Sequence, residues 1–556
     1  MRLKKLPEKE YRFQQSEGRK MSQIKFIDSY ASIGKWWDKD PDHPWTVERM
    51  LKDMERCQIH GALIYSNLAK ELQPSVGNEE VIRVCQENPR LIPVWVVLPD
   101  QCGDVPKTAQ LIREIKDKNV KAVKIFPRLH RYPLDERTLG NLFRALEEAE
   151  IPLMIDNGEA NTDFVQISWN EVGWICQNYP NLKVILHSVR WEATRTLLPI
   201  LKEFPNLFVE FSNYQANRIV EFLVEQVGAD QLLFGTQMML KSPGAAKAFI
   251  NYADISEQDR QKIAGENLIR ILKLEKIPED YPDDLTGDKI LQKARNGKPI
   301  DDMEVIDAHA HHYPKDHFDN AIAFMPESDA AGIVDRNKRI GVNITCSSPW
   351  IGIWSDWELG NLNTRDAIQE LPDEFIGYAV FDPRYVRDWE AELKKCYEQW
   401  GMQGLKPYFP RNHIPYNDLV YNKWYEYANR NRLFSLMHYS DNFEHEMDDL
   451  ARRFPEISFL LAHSGMSYER AKKHIRLAKK FKNIFLEITF TAVTNGIIEY
   501  MVDQVGASRV IYGSDSAMRD PIPQFGWVVY ADISEEEKRL ILGKNMRKIL
   551  DRVLLK

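Results

Sequence analysis

Short apolar segments alternate with longer amphipathic segments along nearly the whole chain. A segment that begins at Tyr468 shows helical periodicity, because Ala471, Ile475 and Ala478 fall on one face. Strands that alternate with helices predict a parallel sheet, and eight such units in about 250 residues favour a (β/α)₈ TIM-like barrel over an open sheet. The strands predicted in the second half are Val305–Asp307, Asn343–Cys346, Ile376–Phe381, Gly404–Lys406, Leu433–Met437, Ser458–Ala462, Ile484–Ile488 and Val510–Gly513.

This pattern occurs twice, and specific phrases recur with it. YADISE stands at 252–257 and again at 530–535, FIDSYAS from Phe26 matches VIDAHAH from Val305, and VEQVGADQLLFGT matches VDQVGASRVIYGS. Ordered matches at a nearly constant offset indicate a duplicated α/β domain. The first copy is expected to start with a strand at Ile24–Asp28 and to end with one at Gln231–Gly235. We predict an N-terminal extension at 1–22, a first barrel at 23–274, a Pro-, Asp- and Gly-rich linker at 275–302, and a second barrel at 303–556.

Composition narrows the class of protein. The 556 residues are 44% hydrophobic and 28% charged, which is typical of a soluble globular protein, and a formal charge of −8 gives no electrostatic argument for nucleic acid binding. No apolar stretch approaches the roughly 18–20 residues that span a bilayer. The charged N-terminus lacks the apolar core of a signal peptide, and the six cysteines are scattered without a CxxC pair. We therefore expect a cytoplasmic protein that binds a small molecule rather than nucleic acid or a membrane.

Histidines and one aspartate stand where the predicted strands of the second copy end. The C-terminal ends of the strands carry the chemistry of such barrels. Three imidazoles and a carboxylate suit a divalent ion such as Zn²⁺, and a further imidazole could hold or deprotonate a water. A single histidine at a strand end is more often only a polar residue of the barrel mouth, but acceptors at the ends of four strands favour a metal site. These side chains are His309, His311, His438, His463 and Asp515.

The motifs VIDAHAHH, GLKPYFP, LMHYS, LLAHSG and YGSD, spread from Glu304 to Leu550, make the second copy resemble the amidohydrolase-related (amidohydrolase-2) family of metal-dependent TIM-barrel enzymes. That family includes 2-amino-3-carboxymuconate semialdehyde decarboxylase. The resemblance implies one divalent ion, commonly zinc, with manganese or another divalent ion as alternatives. It also implies His463 as the general base and a lysine near the site, Lys406. The implied metal ligands are His309, His311, His438 and Asp515.

A metal site of this kind activates water, because a bound divalent ion lowers the pKa of its water to as little as about 7. His463 could then take the proton and return it to a leaving group, and Asp515 could share that work. For Lys406 three roles stay open: a salt bridge in the barrel mouth, a contact to a substrate carboxylate, or a carbamylated ligand that bridges two metals.

Four further residues are candidates for substrate binding. Arg384 in FDPRY and Arg411 in YFPRNH could each clamp a carboxylate through two hydrogen bonds, or could anchor a loop. Trp350 and Trp354 in SSPWIGIWSDW could line an apolar pocket, or could pack as a lid. The remaining histidines of the second copy are expected to be solvated helix or loop residues: His312, His317, His413, His445 and His474.

The first copy lacks the ligand set. Tyr30, Ser32, Asp156 and Gln237 stand opposite His309, His311, His438 and Asp515, while His187 and Lys124 match His463 and Lys406. We predict a pseudo-domain that takes the place of a second subunit, giving an intrachain pseudo-dimer, with further homodimerisation left open. The alternative is a metal-free ligand site made from Asp156, His187, Lys124, Arg128 and His130.

The predicted function is hydrolysis of a small lactone, amide or carboxylated cyclic molecule. Non-oxidative decarboxylation of an aromatic or enoic acid is the alternative within the same site, since one barrel can host many chemistries. A non-catalytic binding or scaffold protein is the alternative of another class. A glycosidase is disfavoured, because it needs paired carboxylates and the strand ends offer only Glu487 and Asp382 besides Asp515.

Overall fold

A computed structural model describes residues 24–36, 39–158, 167–275 and 287–555. Two eight-stranded sheets are present, each with its strands hydrogen-bonded in sequence order and parallel to one another. The chain is therefore α/β, with two tandem TIM barrels, as predicted. The strands are β1–β8 (Phe26–Ile33, Ile59–Ser66, Leu91–Val96, Ala122–Ile125, Leu153–Asp156, Val184–His187, Leu207–Glu210, Leu232–Leu233) and β9–β16 (Val305–His312, Val342–Pro349, Phe375–Ala379, Gly404–Leu405, Phe434–Met437, Ser458–Leu461, Ile484–Glu487, Val510–Ile511).

Helices surround both sheets, and several adjoin a short π or 3₁₀ segment. The predicted helix at Tyr468 is confirmed as α20. The helices are α1–α12 (Val47–Arg56, Asn67–Glu71, Pro74–Glu87, Thr108–Asp117, Glu136–Glu148, Trp169–Asn178, Thr194–Glu203, Ile219–Val227, Pro243–Asn251, Glu257–Gln261, Asn267–Leu272, Lys289–Arg295) and α13–α24 (Ala330–Lys338, Trp350–Trp354, Trp357–Glu370, Trp389–Leu393, Phe409–Asn412, Asn422–Asn431, Phe443–Arg453, Tyr468–Lys480, Ile497–Val505, Pro521–Val529, Glu535–Arg539, Asn545–Leu550). Within the described ranges no helix is long and apolar enough to cross a membrane.

The first strand of the second barrel is longer than its apolar run. The run ends at Asp307, but β9 continues to His312 and every one of its residues is buried. Three of the five additional residues are histidines and the other two are alanines, so a search for large apolar residues ends the strand too early. Strands of a parallel barrel are covered on both faces, and at this end the inner face is a polar site rather than an apolar core.

Each barrel closes through the segment that follows its last strand. In the first barrel the Ser29 amide donates to the Phe234 carbonyl at 3.0 Å. In the second, the Ala308 amide donates to the Tyr512 carbonyl at 3.1 Å, and Ala310 forms a parallel bridge with Ser516. This closure brings the chain around residue 515 directly against the end of β9.

Part of the predicted linker is structured, while residues 276–286 and the N-terminal extension lie outside the described residues. Helix α12 begins after Asp288, whose side chain accepts a hydrogen bond from the Leu291 amide at 2.9 Å. Its Ile290, Leu291 and Ala294 are buried, and the helix packs on α9, α22 and α23. The linker therefore adds apolar surface to the contact between the barrels.

The two barrels contact each other through a pair of equivalent helices, α9 and α22. All residues of α22 and all but the last of α9 are buried. Two glycines allow the close approach: a Cβ added to Gly244 would lie 2.2 Å from the Cβ of Tyr530, and one added to Gly526 would lie 2.5 Å from the Cβ of Ala248. The contact is as closely packed as a protein core.

Replacing Gly244 with alanine should therefore weaken the joined structure. Overpacking of this kind costs about 1–3 kcal/mol. We expect the free energy of unfolding to fall by that amount in the first transition of a denaturant titration. Gly173→Ala is the matched control, because its added Cβ meets only a Phe204 ring carbon at 3.5 Å and alanine favours a helix over glycine by up to about 1 kcal/mol. Equal stability of the two variants would contradict the close contact.

Candidate metal centre

The sequence-predicted side chains gather at the C-terminal ends of the strands of the second barrel. His309 and His311 occupy alternate positions of β9 and so point to the same side. His438 directly follows β13, His463 follows β14, and Asp515 follows β16. His309, His311, His463 and Asp515 are all buried, whereas His438 is partly exposed.

Three of these residues bring their ligand atoms together. The Nε2 atoms of His309 and His311 lie 3.2 Å apart, and Asp515 Oδ1 lies 3.1 Å from His311 Nε2 and 3.7 Å from His309 Nε2. His438 is farther out: its ring centroid is 4.8 Å from that of His463, which is 5.2 Å from that of His309. The compact set is therefore two imidazoles and one carboxylate, with His438 at its rim.

The donor atoms fit a divalent ion. Asp515 Oδ1 and His438 Nδ1 are buried and have no hydrogen-bond partner among the described residues, and an unsatisfied buried acceptor costs roughly 1–3 kcal/mol. A cation between His309, His311 and Asp515 would remove that cost. Imidazole and carboxylate together suit zinc and other first-row divalent ions.

Glu487, at the end of β15, orients the first ligand. His309 Nδ1 donates to Glu487 Oε2 at 3.0 Å, which leaves Nε2 with a free lone pair for a metal. A carboxylate behind a ligating histidine is a recurrent means of fixing its tautomer. Sequence reasoning considered Glu487 only as an acid for glycoside cleavage; its position at a strand end was the signal for this role.

Arg519, which sequence reasoning missed, keeps Asp515 ionised. Its Nη1 forms an ion pair with Asp515 Oδ2, and its Nε donates to Thr491 Oγ1. Burial opposes ionisation of Asp515, but the guanidinium and the nearby imidazoles outweigh it, so the pKa of Asp515 lies well below its usual value. The carboxylate is thus available as an anionic ligand.

His463 is neutral and held in one orientation. Its Nδ1 donates to the Thr489 carbonyl at 2.7 Å, so Nε2 is the nitrogen that can accept a proton. Burial lowers the pKa of His463 to about 3. The side chain is therefore uncharged at neutral pH, with Nε2 unprotonated.

Lys406, just after β12, is a buried amine without a hydrogen-bond partner in the described part of the chain. Among the described residues it forms no ion pair, so of the three roles left open for Lys406 the salt bridge in the barrel mouth is not observed. Burial lowers the pKa of Lys406 to about 8. Its Nζ lies 5.7 Å from the centre of the Tyr408 ring.

The candidate substrate-binding residues separate into two groups. Trp354, Arg384 and Arg411 line a cavity of about 220 Å³ together with Tyr408, and the Arg411 guanidinium lies 3.2 Å from the centre of the Trp354 ring. Arg384 is engaged by Asp382, which accepts from its Nε at 2.9 Å. Trp350 is buried and lies beside His311, with their ring centroids 5.2 Å apart.

Two of the five remaining histidines correct the expectation of solvated residues. His312 is buried at the end of β9, with its Nδ1 3.0 Å from Ser347 Oγ, because that strand extends beyond its apolar run. His474 lies on the buried face of α20, with its Nδ1 2.8 Å from Ser464 Oγ. The other three are exposed, as expected: His317, His413 and His445.

The mouth of the first barrel is filled by its own side chains. The Lys124 ammonium lies 2.7 Å from His187 Nδ1, 3.4 Å from Asp156 Oδ2 and 3.7 Å from the centre of the Tyr30 ring. Tyr30 donates to Asp156 at 3.0 Å and accepts from Gln237 at 3.1 Å. Among the described residues, clusters spaced for a metal occur in the second barrel alone.

The alternative ligand site of the first barrel loses two of its members. Arg128 forms an ion pair with Glu171 at 2.9 Å, and His130 Nε2 lies 2.7 Å from the Lys70 carbonyl. Lys124, Asp156 and His187 do lie together, but they contact one another.

Comparison with known proteins identifies the family of both repeats. A sequence model of the amidohydrolase family matches residues 29–274 and again residues 306–552. No curated protein sequence matches the chain.

Many solved structures resemble one barrel. An uncharacterized TIM-barrel protein from Bordetella bronchiseptica is 18% identical, covering 45% of this chain and 99% of its own, with a TM-score of 0.39. A 2,6-dihydroxybenzoate decarboxylase from Rhizobium is 16% identical (45% and 99% covered, TM-score 0.36). A 4-oxalomesaconate hydratase from Rhodopseudomonas palustris is 18% identical (45% and 96% covered, TM-score 0.35).

Purified protein should contain about one divalent ion per chain, as expected for a single mononuclear site, when measured by plasma mass spectrometry after expression with added metal. His309→Ala/Asp515→Ala should lose it, because these substitutions remove two ligands. The matched control is Tyr30→Ala/Gln237→Ala, which changes the equivalent positions of the first barrel and should keep the ion. Two ions per chain would indicate a carbamylated Lys406 or an active first barrel, and none would contradict a metal centre.

Glu487→Gln should weaken metal binding by about 10–100-fold, the usual effect of losing the carboxylate behind a ligating histidine. The measurement is competition with a chromogenic chelator. The control is Glu210→Gln, because Glu210 ends the equivalent strand of the first barrel and accepts from the Ser188 amide at 3.0 Å. Similar affinity in Glu487→Gln and the wild type would mean that His309 is not oriented by this carboxylate.

Proposed function

This chain belongs to the amidohydrolase family in both of its repeats, and on that premise we propose that the second barrel is a cytoplasmic metal-dependent hydrolase of a small lactone, amide or carboxylated cyclic molecule. The observation that carries the proposal is the convergence of His309, His311 and Asp515 beside a neutral, oriented His463. The proposed ion is zinc, with manganese or another divalent ion as alternatives. His438 is the proposed additional ligand.

A divalent ion held by these residues would supply Lewis acidity, which lowers the pKa of water or polarises a substrate oxygen. His463 is proposed as the general base. Because its Nδ1 donates to the Thr489 carbonyl, its Nε2 accepts a proton from the attacking water and returns it to the leaving group. Asp515, kept ionised by Arg519, shares this work.

Cationic side chains around the site favour a substrate with negative charge. Lys406 has no hydrogen-bond partner among the described residues, so a substrate carboxylate, or the negative charge that develops on a carbonyl oxygen, would satisfy its buried amine. Arg411, stacked on Trp354 in the adjoining cavity, is proposed to pair with a carboxylate through two hydrogen bonds. Trp350 would pack against the ring of a cyclic substrate. Arg384, already engaged by Asp382, would position that loop.

Non-oxidative decarboxylation of an aromatic or enoic acid is the second candidate. The observation that favours it is the aromatic and cationic lining of that cavity, which suits a flat carboxylated ring. In that reaction the same imidazole, once protonated, would deliver the proton to carbon as CO₂ leaves. Hydrolysis instead consumes one water per turnover.

We propose that the first barrel is a non-catalytic partner within the chain. Its Lys124 ammonium takes the centre of the mouth, where it is already bonded to His187 and close to Asp156. A metal would have to displace this ammonium. The first barrel would thus stand in for the second subunit of a dimer.

The test is a screen of lactones, amides and aromatic carboxylic acids with metal-loaded protein, following uptake of ¹⁸O from water and release of CO₂. Incorporation of ¹⁸O without CO₂ supports hydrolysis, and CO₂ without ¹⁸O in the organic product supports decarboxylation. No turnover of any compound by fully metal-loaded protein would favour a binding or scaffold protein.

His463→Asn should lower kcat by about 10²–10⁴-fold, the usual contribution of general base catalysis, with the metal content unchanged. His187→Asn is the control, since His187 holds the equivalent position in the first barrel and contacts Lys124. A His463→Asn enzyme with wild-type kcat would rule out this base.

A further inference from the structure

The segment of residues 489–495, which connects β15 to α21, contacts two parts of the metal centre. The Thr489 carbonyl accepts from His463 Nδ1 at 2.7 Å. Thr491 Oγ1 accepts from Nε of Arg519, the residue whose guanidinium is paired with Asp515. Its conformation therefore determines how the proposed base and one proposed ligand are oriented.

The opposite side of this segment is bound by the first barrel. The Ser242 amide donates to the Val493 carbonyl at 2.8 Å, and the Asn495 amide donates to the Leu240 carbonyl at 3.0 Å. Lys241 and Thr494 form an antiparallel bridge. Residues 240–242 thus act as a short strand of the first barrel laid along the 489–495 segment.

Lys241 makes the most specific of these contacts. It is buried, and its Nζ donates to the Ser212 carbonyl at 3.1 Å, to Asn213 Oδ1 at 2.6 Å and to the Thr491 carbonyl at 3.1 Å. An ammonium has three N–H donors and no acceptor, so each donor has one partner. Two partners belong to the first barrel and one to the second, which makes Lys241 a fixed link between them.

The duplication supports a role for this link at the site. Lys241 and Arg519 hold equivalent positions in the two repeats, and Asn213 and Thr491 lie in the segments that follow the equivalent strands β7 and β15. In the first barrel Lys241 binds Asn213, which donates to Gln237 at 3.0 Å; in the second, Arg519 binds both Thr491 and Asp515. A polar connection therefore exists in each mouth, and Lys241 also joins the first connection to the second.

We propose that Lys241 of the first barrel is a positioning residue for the metal centre of the second barrel. By holding the Thr491 carbonyl it fixes the residue that orients Arg519, and Arg519 in turn fixes Asp515. This inference rests on the proposed metal centre. It gives the first barrel a specific role, because Lys241 of that barrel helps to position Asp515, a proposed metal ligand of the second barrel.

The experiment measures Co²⁺ binding to the full-length protein by chelator competition, together with the visible absorption of bound Co²⁺, which reports ligand geometry. Lys241→Met removes the three donors while keeping a side chain of similar length. We expect affinity to fall by up to about tenfold, the lower end of the effect for residues that orient ligands, with altered absorption bands. Lys241→Arg, which places the equivalent residue of the second repeat at this position, should restore much of the wild-type spectrum.

Two further variants separate positioning from general loosening of the interface. Arg56→Ala removes a different link between the barrels, the ion pair with Asp532, and should leave Co²⁺ affinity and spectrum unchanged. Thr491→Val cuts the connection to Arg519, so adding Lys241→Met to it should weaken binding less than additivity predicts. Thr491→Val also tests the connection through a residue outside the first barrel if Lys241→Met does not fold.

The outcomes distinguish this inference from the proposed function. Wild-type protein that binds no Co²⁺ would overturn the metal centre itself. Wild-type protein that binds Co²⁺, with a folded Lys241→Met variant of equal affinity and spectrum, would overturn the role of Lys241 alone. An equal loss in Arg56→Ala would also overturn it, because any weakened contact between the barrels would then suffice.

Discussion

The site depends on how the second barrel closes. The chain after β16 pairs with β9, with the Asp515 amide donating to the His309 carbonyl at 2.7 Å. Two backbone segments distant in sequence therefore meet at the point where one carries two imidazoles and the other a carboxylate. A closed barrel fixes the stagger of its strands, so the ligand atoms are brought together by the same hydrogen bonds that complete the sheet. Glu487 and Arg519 then settle the tautomer of one ligand and the charge of another.

The first barrel closes in the same way but resolves its buried polar groups differently. Its mouth contains a buried carboxylate, Asp156, and a buried amine, Lys124, next to each other. Burying a charge is costly unless it is paired, and here the ammonium supplies the positive charge that a metal would supply in the second barrel. In the second barrel the equivalent amine, Lys406, has no hydrogen-bond partner within the described ranges, and the carboxylate of that mouth, Asp515, is paired with Arg519. The two mouths share one fold but differ in how their buried polar groups are paired. In the first barrel Lys124 pairs with Asp156 and His187. In the second barrel Lys406 Nζ and Asp515 Oδ1 have no hydrogen-bond partner among the described residues.

The sequence was sufficient for the fold and for the grouping of most candidate side chains at one end of the second barrel, because both depend on the spacing and order of the apolar runs. Eight apolar runs, their spacing and the repeated phrases predicted two barrels, and the ends of those runs predicted His309, His311 and Asp515. What it did not reveal depends on the direction that individual side chains take in irregular segments. Arg519 lies only four residues after Asp515, but the pairing of the two depends on the turn between them and on Thr491, which holds the guanidinium. His312 was expected to be solvated because the apolar run ends before β9 does. Likewise, nothing in the local pattern around Arg384 indicates that Asp382 already engages it.

The contact between the barrels stabilises their association. Helices α9 and α22 are almost entirely buried against each other and their barrels, so separating them would expose apolar surface at a cost of roughly 25 cal/mol per Å². The same interface carries polar contacts between the loops of the two mouths, in matching pairs: the Ser242 amide donates to Val493, and the Asp520 amide donates to Gln215 at 2.9 Å. Such reciprocal pairing is what a two-fold dimer of identical subunits would show. When the two barrels belong to one chain, the sequence of each barrel can change independently. The first barrel can therefore lack the candidate ligands while its loops still contact the mouth of the second barrel.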